Sequence, residues 1–372
     1  MADIIWNADF KQGVKQQFLL RSIGAKQSRF MELELTRACG NRCSYCGAAP
    51  SNDCGELDFS KAVHALEQAR NQAVAENRRL LVSLCGGDPV LYSHFHDLTA
   101  WMGRQGIHYG IKANPGTLTQ ELGRQLKENG CAWVRFTLFG DAELHQAHRR
   151  GETHEILIQS THLLRELDMP VAWNLTLGRM NLDATLESLP LVRSMGLTGV
   201  TLGRLARIGR LDKESGGGDI EPAAYREFLM AVLAFYQAQG PKAFPLGFKE
   251  KLWFPLLVEE GILEFDIRDL SRMVLGCSAQ DRCLTLGVDG QWQACGLIPF
   301  PVPGAVETPP WTLPGAAGLG FFEEQSECRG CPHYYGCRGC RALALANGNG
   351  IHGRDPQCWV ENDHGRRPIK GN

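Results

Sequence analysis

The sequence predicts an α/β fold in which repeated βα units build a parallel sheet or barrel, followed by a loop-rich, cysteine-rich domain. Three observations predict it. Short apolar runs alternate with helical periodicity from about residue 31 to 210. The fourteen cysteines divide into Cys39 to Cys54 and Cys277 to Cys358, with only Cys85 and Cys131 between, which suggests two metal-bearing regions. Beyond Cys277 glycine, proline and cysteine dominate, as suits loops held by metal.

Met31–Thr36 reads as a strand that ends in the first cysteine group, so that group lies at a C-terminal strand end, where such folds bind ligands. Ser60 is placed to cap a helix with Val63, Leu66 and Ala73 on one face. Leu80–Cys85, bounded by Gly86-Gly87, reads as a buried strand, and His108–Ala113 as the next. Thr119 caps a helix carrying Leu122 and Leu126 that Gly130 stops. Trp133–Leu138 is a strand, Glu155–Leu167 a helix halted before Pro170, and Val171–Leu177 a strand. Asp183 caps a helix closing at Gly196, with Pro190 inside it, and Gly199–Leu202 is the last strand. Ser215-Gly216-Gly217-Gly218-Asp219 reads as a flexible joint. Pro222 then opens a helix to Gln239 with Tyr225, Phe228, Val232 and Phe235 on its buried stripe. The expected organisation is an N-terminal extension (1–29), a core (30–215), a helical linker (216–276), a cysteine domain (277–361) and a basic tail (362–372).

The composition, 44% hydrophobic and 22% charged, is that of a globular protein able to bury a core. A net charge of −2 gives no sign of a nucleic-acid or membrane partner. The N-terminus lacks a secretory pattern and no run of eighteen apolar residues exists, so a cytoplasmic location is expected. Disulfides would be reduced there, and clustered cysteines then point to metal or redox chemistry.

Cys39, Cys43 and Cys46 form C-x3-C-x2-C with Tyr45 before the last cysteine. Three thiolates leave one iron of a four-iron cluster open, the mark of a catalytic site. The motif resembles the signature of the radical S-adenosylmethionine (SAM) superfamily. The resemblance implies a partial (β/α)6 TIM-type barrel, a 4Fe-4S cluster, and reductive cleavage of SAM to a 5′-deoxyadenosyl radical that abstracts hydrogen from substrate. Gly86-Gly87-Asp88-Pro89 is similar to the family's Gly-Gly-Glu-Pro segment, whose backbone binds the methionine amino group, with Asp88 in place of glutamate. Thr137-Leu138-Phe139-Gly140 with His145 and Arg149-Arg150-Gly151 is similar to a further family region. There Thr137 and Asn174 would face the ribose and an arginine the cofactor carboxylate, although Phe139 and Gln146 replace acidic residues. Leu205–Arg210 resembles the adenine-side segment.

The eight C-terminal thiols suffice for two fully ligated clusters. Their order resembles the SPASM domain appended to many such enzymes, with two rather than three residues between Cys337 and Cys340. The resemblance implies three 4Fe-4S clusters in all. Cys277, Cys283, Cys295 and Cys340 would hold one auxiliary cluster, and Cys328, Cys331, Cys337 and Cys358 the other. Cys54, Cys85 and Cys131 match nothing and read as small buried hydrophobes.

The auxiliary clusters imply a net oxidation, with reducing electrons from a flavodoxin- or ferredoxin-type donor. Within the family a ribosomal peptide or protein side chain is the first expected substrate, and a tetrapyrrole side chain or another small molecule the second. The roughly thirty residues before the barrel are too few for the leader-peptide domain of some peptide maturases. Sulfatase-maturating enzymes place an aspartate base directly after the third auxiliary cysteine, where this chain has Gly296. Asp88, Glu250, His145 and His333 are the candidate replacements. A non-catalytic zinc or iron–sulfur scaffold is the alternative class.

Overall fold

The computed structural model of the chain describes residues 4–48, 55–211, 219–264, 275–279, 283–298, 301–302, 311 and 326–361. Cys54, the glycine run of the joint and the basic tail lie outside the described residues.

Six parallel strands form the centre: β1 (Ser28–Thr36), β2 (Arg79–Gly86), β3 (His108–Lys112), β4 (Cys131–Leu138), β5 (Val171–Leu177) and β6 (Gly199–Arg204). The sheet continues at both ends with β7 (Leu246–Gly247), β8 (Cys283–Leu286) and β9 (Trp292–Gln293), in the order β7-β6-β5-β4-β3-β2-β1-β8-β9. It is open, as a partial barrel should be.

Period-two patterning sets the two faces of each strand. On β1, Met31, Leu33 and Leu35 are fully buried against the helix layer, whereas Phe30, Glu32 and Glu34 face the barrel lumen. Helix α2 (Phe59–Ala75) packs Ala62, Ala65, Leu66, Ala69 and Ala73 against the sheet. Its N-cap is Asp58, whose carboxylate accepts from the Lys61 amide, so the helix begins earlier than the expected Ser60 cap. Both residue types cap well, and Asp58 sits one residue before the first helical φ. The outer layer continues with α3 (Phe95–Arg104), α4 (Gln120–Glu128), α5 (Ala142–Arg149) and α6 (His154–Glu166). The expected helix from Asp183 to Gly196 is two helices, α7 (Leu182–Glu187) and α8 (Leu189–Ser194). Pro190 cannot continue an α-helical hydrogen-bond ladder but fits the first turn of a new helix, which is where it lies.

Helix α1 (Ala8–Lys26), unforeseen in the sequence, docks Val14 and Phe18 on the core, with Phe18 against Phe248 and Phe254. Helix α9 (Pro222–Gln239) follows its expected span. Phe235, expected on its buried stripe, is only partly buried.

The C-terminal cysteine region does not stand apart from the barrel. Strand β8 pairs in parallel with β1, Cys283 opposite Phe30, and so joins the same sheet. A second tie is ionic. Arg204, at the end of β6, has a side chain only 1% exposed. It donates to both Asp355 oxygens (2.7 and 2.8 Å), to Gln357 (2.8 Å) and to Glu250 (2.7 Å). Asp355 also accepts from the Cys340 amide at 2.7 Å.

Candidate active site

The first cysteine loop runs from the end of β1, and backbone bonds to two other segments fix it. The Arg42 and Ser44 amides donate to the Arg150 and His148 carbonyls, and the Arg210 amide donates to the Cys46 carbonyl. Arg210 also donates from its side chain to the Cys43 carbonyl at 3.3 Å. The Cys39 sulfur accepts from the Asn41 amide (3.4 Å) and from the Asn114 side chain (3.3 Å). Burial pushes the Cys43 thiol up to about 11, so loading it with metal must displace a proton.

Tyr45 stacks on Phe139 with centroids 4.6 Å apart and planes at 14°, and its hydroxyl accepts from Arg149 at 3.4 Å. Phe139, which replaces an acidic residue in the sequence comparison, is thus a wall of the loop. Arg149 is committed to Glu152 (2.6 Å), which also meets Asn41 (2.8 Å) and His145 (3.1 Å). These groups brace the loop from behind.

The glycine segment follows β2 and lies against the start of the cysteine loop. The Gly87 and Asp88 amides donate to the Thr36 and Ala38 carbonyls, both at 2.7 Å. A Cβ on Gly87 would lie 2.2 Å from the Ala38 carbonyl oxygen. One on Gly86, whose φ is +132°, would lie 2.4 Å from that of Thr36. Only glycine permits this approach, and the cradle next to three cysteines fits a bound cofactor. Gly209 makes a similar approach, 2.3 Å from the Cys46 carbonyl oxygen, at φ +66°.

These segments enclose a cavity of about 420 Å³ whose walls include Glu34, Thr36, Gly86, Gly87, Gln293 and Gly296. The cavity therefore touches both the glycine cradle and the C-terminal region. Thr137 and Asn174 are register neighbours on β4 and β5, away from this lining. Asn174 donates to Thr176 (2.9 Å) and accepts from Thr201 (3.1 Å).

None of the four base candidates lines the cavity. The Asp88 carboxylate caps the Val90 amide and accepts from Thr117, while Pro89 starts the short turn it caps. Glu250 is paired with Arg204, His145 with Glu152, and His333 rests near Phe254. The carboxylate that does line it is Glu34, overlooked in the sequence reading. Burial and its neighbour Glu32 push its carboxyl above the usual range. Its signal was present in Met31-Glu32-Leu33-Glu34-Leu35, an acid at every second position of an apolar strand, which aims acids at the lumen.

The C-terminal thiols form two electrostatic neighbourhoods. Cys295 and Cys340 each interact with Cys277, and Cys283 with Cys295. Cys331 and Cys337 each interact with Cys358 and Cys328. Among the described residues no three ligating side chains close around a lone metal ion. Cys85 faces the lumen beside Glu34, its thiol pushed up by burial, and Cys131 is buried in the core. No described helix is long and apolar enough to cross a membrane.

Residues 33–189 match the model of the Radical SAM superfamily. An AdoMet-dependent heme synthase from Methanosarcina barkeri is 23% identical over 89% of this chain and 96% of its own length. A PqqA peptide cyclase from Streptomyces rochei is 25% identical over 46% of this chain and 47% of its own. Among solved structures, Streptococcus suis SuiB bound to the precursor peptide SuiA superposes with a TM-score of 0.69 at 16% identity, covering 97% of this chain and 83% of that one. A Radical SAM domain implies one 4Fe-4S cluster and SAM, and the cysteine loop and the glycine segment both lie within the matched residues. The chain is an enzyme that carries a Radical SAM domain over residues 33–189, followed by a cysteine-rich C-terminal region.

Proposed function

We propose that this enzyme oxidises a substrate carbon held in the barrel lumen between two metal regions. One observation carries the reading: a cavity bounded by the glycine cradle of the first cysteine loop on one side and by Gln293–Leu297 on the other. Cys39, Cys43 and Cys46 would hold the SAM-binding cluster, with Gly86, Gly87, Asp88 and Pro89 against the methionine end of SAM. Thr137 and Asn174 would lie toward the ribose. Cys277, Cys283, Cys295 and Cys340 would hold one auxiliary cluster, and Cys328, Cys331, Cys337 and Cys358 the other. When bound, the first cluster and SAM supply a 5′-deoxyadenosyl radical, and the auxiliary clusters supply an acceptor for the electron a net oxidation releases. Tyr45, Phe139 and Arg149 hold the cysteine loop in place. Glu34, high in pKa and facing the cavity, is positioned to take the proton that leaves the substrate. A flavodoxin- or ferredoxin-type protein would supply the reducing electron.

Of the two substrate classes, a tetrapyrrole with carboxylate side chains is favoured. The heme synthase likeness runs through nearly the whole chain, cysteine region included, whereas the peptide cyclase match covers under half. That reverses the order expected from sequence. A peptide is the second reading, supported by the peptide cyclase match; the SuiB complex adds likeness of fold alone.

The test is anaerobic reconstitution, iron analysis and a SAM cleavage assay. About twelve irons per chain and 5′-deoxyadenosine that disappears in a Cys39, Cys43 and Cys46 triple alanine variant are expected. Zinc without iron, or no cleavage by the intact protein, overturns the reading. An iron porphyrin bearing propionates, offered beside unmodified peptides, should alone raise 5′-deoxyadenosine above the background rate.

A further inference from the structure

Three arginines from three segments of the chain meet on the first cysteine loop. Arg42 lies in the loop itself, Arg150 follows α5 and Arg210 follows β6. The Arg42 amide donates to the Arg150 carbonyl at 2.7 Å, and the Arg210 side chain donates to the Cys43 carbonyl at 3.3 Å. Arg42 and Arg150 are exposed, as are Gly40, Gly47 and Ala48 of the loop, and Cys43 is half-buried. Among the described residues no carboxylate pairs with any of the three side chains; that of Arg150 donates to the Ala147 carbonyl. The exposed acid of α5, Glu143, lies at the far end of that helix, about 10 Å away by the helical rise and so roughly a Debye length off. Arg150 also sits at φ +26° and ψ 93°, a conformation that favours glycine. An arginine there costs stability that glycine would not, and such strain gathers at functional sites.

We propose that this face docks a small acidic protein that carries one low-potential electron, with Arg42, Arg150 and Arg210 against its carboxylates. This rests on the reading that Cys39, Cys43 and Cys46 hold a cluster reduced from outside. The electron has little protein to cross, because the loop that would hold the cluster is itself at the surface. One electron leaves the carrier and enters the cluster, and no proton or group moves. Arginine forks match carboxylates, and attraction between exposed charges acts first on the rate of encounter.

The probe is an acidic 2Fe-2S ferredoxin. Binding of its oxidised form to the reconstituted enzyme is measured by calorimetry. SAM cleavage is driven either by the photoreduced ferredoxin or by dithionite, which needs no docking face. Arg42→Glu is combined with Arg150→Glu, since neither side chain holds the loop, whose bonds there are made by the backbone. The proposal expects this variant to lose at least tenfold in ferredoxin affinity and to raise the KM for ferredoxin as much, with dithionite-driven cleavage unchanged. Arg42→Lys with Arg150→Lys should keep most of the affinity, because the charge is kept. Arg150→Gly should raise the urea midpoint by relieving the strain, yet weaken ferredoxin binding. Parental affinity in the charge-reversed variant, or an equal loss of cleavage with dithionite, overturns the docking face and leaves the cluster reading standing. So does a parent that cleaves SAM with dithionite but binds no ferredoxin. Tighter binding of a polyglutamate peptide than of the ferredoxin assigns the face to an acidic peptide instead. No cleavage by the parent with dithionite overturns the cluster reading itself.

Discussion

Arg204→Ala tests how the two halves of the molecule are joined. The Arg204 guanidinium makes four hydrogen bonds, to Asp355, Gln357 and Glu250, and the side chains of Arg204, Asp355 and Glu250 are 1%, 1% and 8% exposed. Truncation leaves two carboxylates buried without their cation, which costs about 3–5 kcal/mol for a broken buried pair. Tyr225, whose ring centre is 5.1 Å from the guanidinium carbon, also loses its cationic neighbour. The damage should reach metal, because Asp355 holds the Cys340 amide and the Gln357 amide next to Cys358. The assay pairs urea denaturation of the reconstituted enzyme with iron analysis. A lower midpoint and loss of up to four irons per chain are expected. Arg204→Ala combined with Asp355→Asn and Glu250→Gln should recover much of the stability, because the unpaired charge is the main cost. An Arg204→Ala protein within about 0.5 kcal/mol of the parent and with full iron would refute the reasoning, since an exposed pair is worth that little.

Gly87→Ala places a methyl 2.2 Å from a backbone oxygen that cannot swing aside, so the cysteine loop must shift; SAM affinity measured by equilibrium dialysis should fall at least tenfold. Phe139→Ala removes a fully buried ring that stacks on Tyr45 and should cost about 3–5 kcal/mol in denaturant titrations. Glu34→Gln should raise stability near neutral pH and lower turnover. The folded carboxyl titrates above its unfolded value, so its charge opposes folding above the folded pKa and costs nothing below about pH 4. Parent and variant urea midpoints should therefore converge as the pH falls to that value, and a gap that widens on acidification would refute the assignment.

The strand order and the place of the first cysteine loop were legible because they depend on local signals: apolar runs, glycine stops and cysteine spacing. What was not legible depends on tertiary partners. Helix α1 has scattered apolar residues, and only docking of Val14 and Phe18 marks its inner face. The base candidates failed for the same reason. Asp88, Glu250 and His145 are chemically suitable in sequence, but each is consumed by a partner distant in the chain or supplied by the fold. Glu34 was not singled out, because the alternation along β1 marks two faces and only the fold tells that the acidic one lines the barrel lumen. Strand β8 was hidden in a segment that reads as metal-bound loop, and its four residues gain meaning only beside β1.

That pairing has a consequence for mechanism. Cys283 lies opposite Phe30, near the start of β1, whereas Cys39 lies just beyond its end at Thr36. Six residue steps of a strand from Phe30 to Thr36 span roughly 20 Å at about 3.3 Å each. One strand thus sets the spacing between the first cysteine group and the second, with Glu32 and Glu34 facing the space between. In the proposed reaction a substrate occupying that length would meet the glycine cradle at one end and the Cys283 neighbourhood at the other. Hydrogen removal at the first and electron departure toward the second would then require no movement between them. A shift in β8 register would alter the second step and spare the first. Substitutions at Leu284 or Leu286, both fully buried, should accordingly uncouple SAM cleavage from product formation before they abolish it.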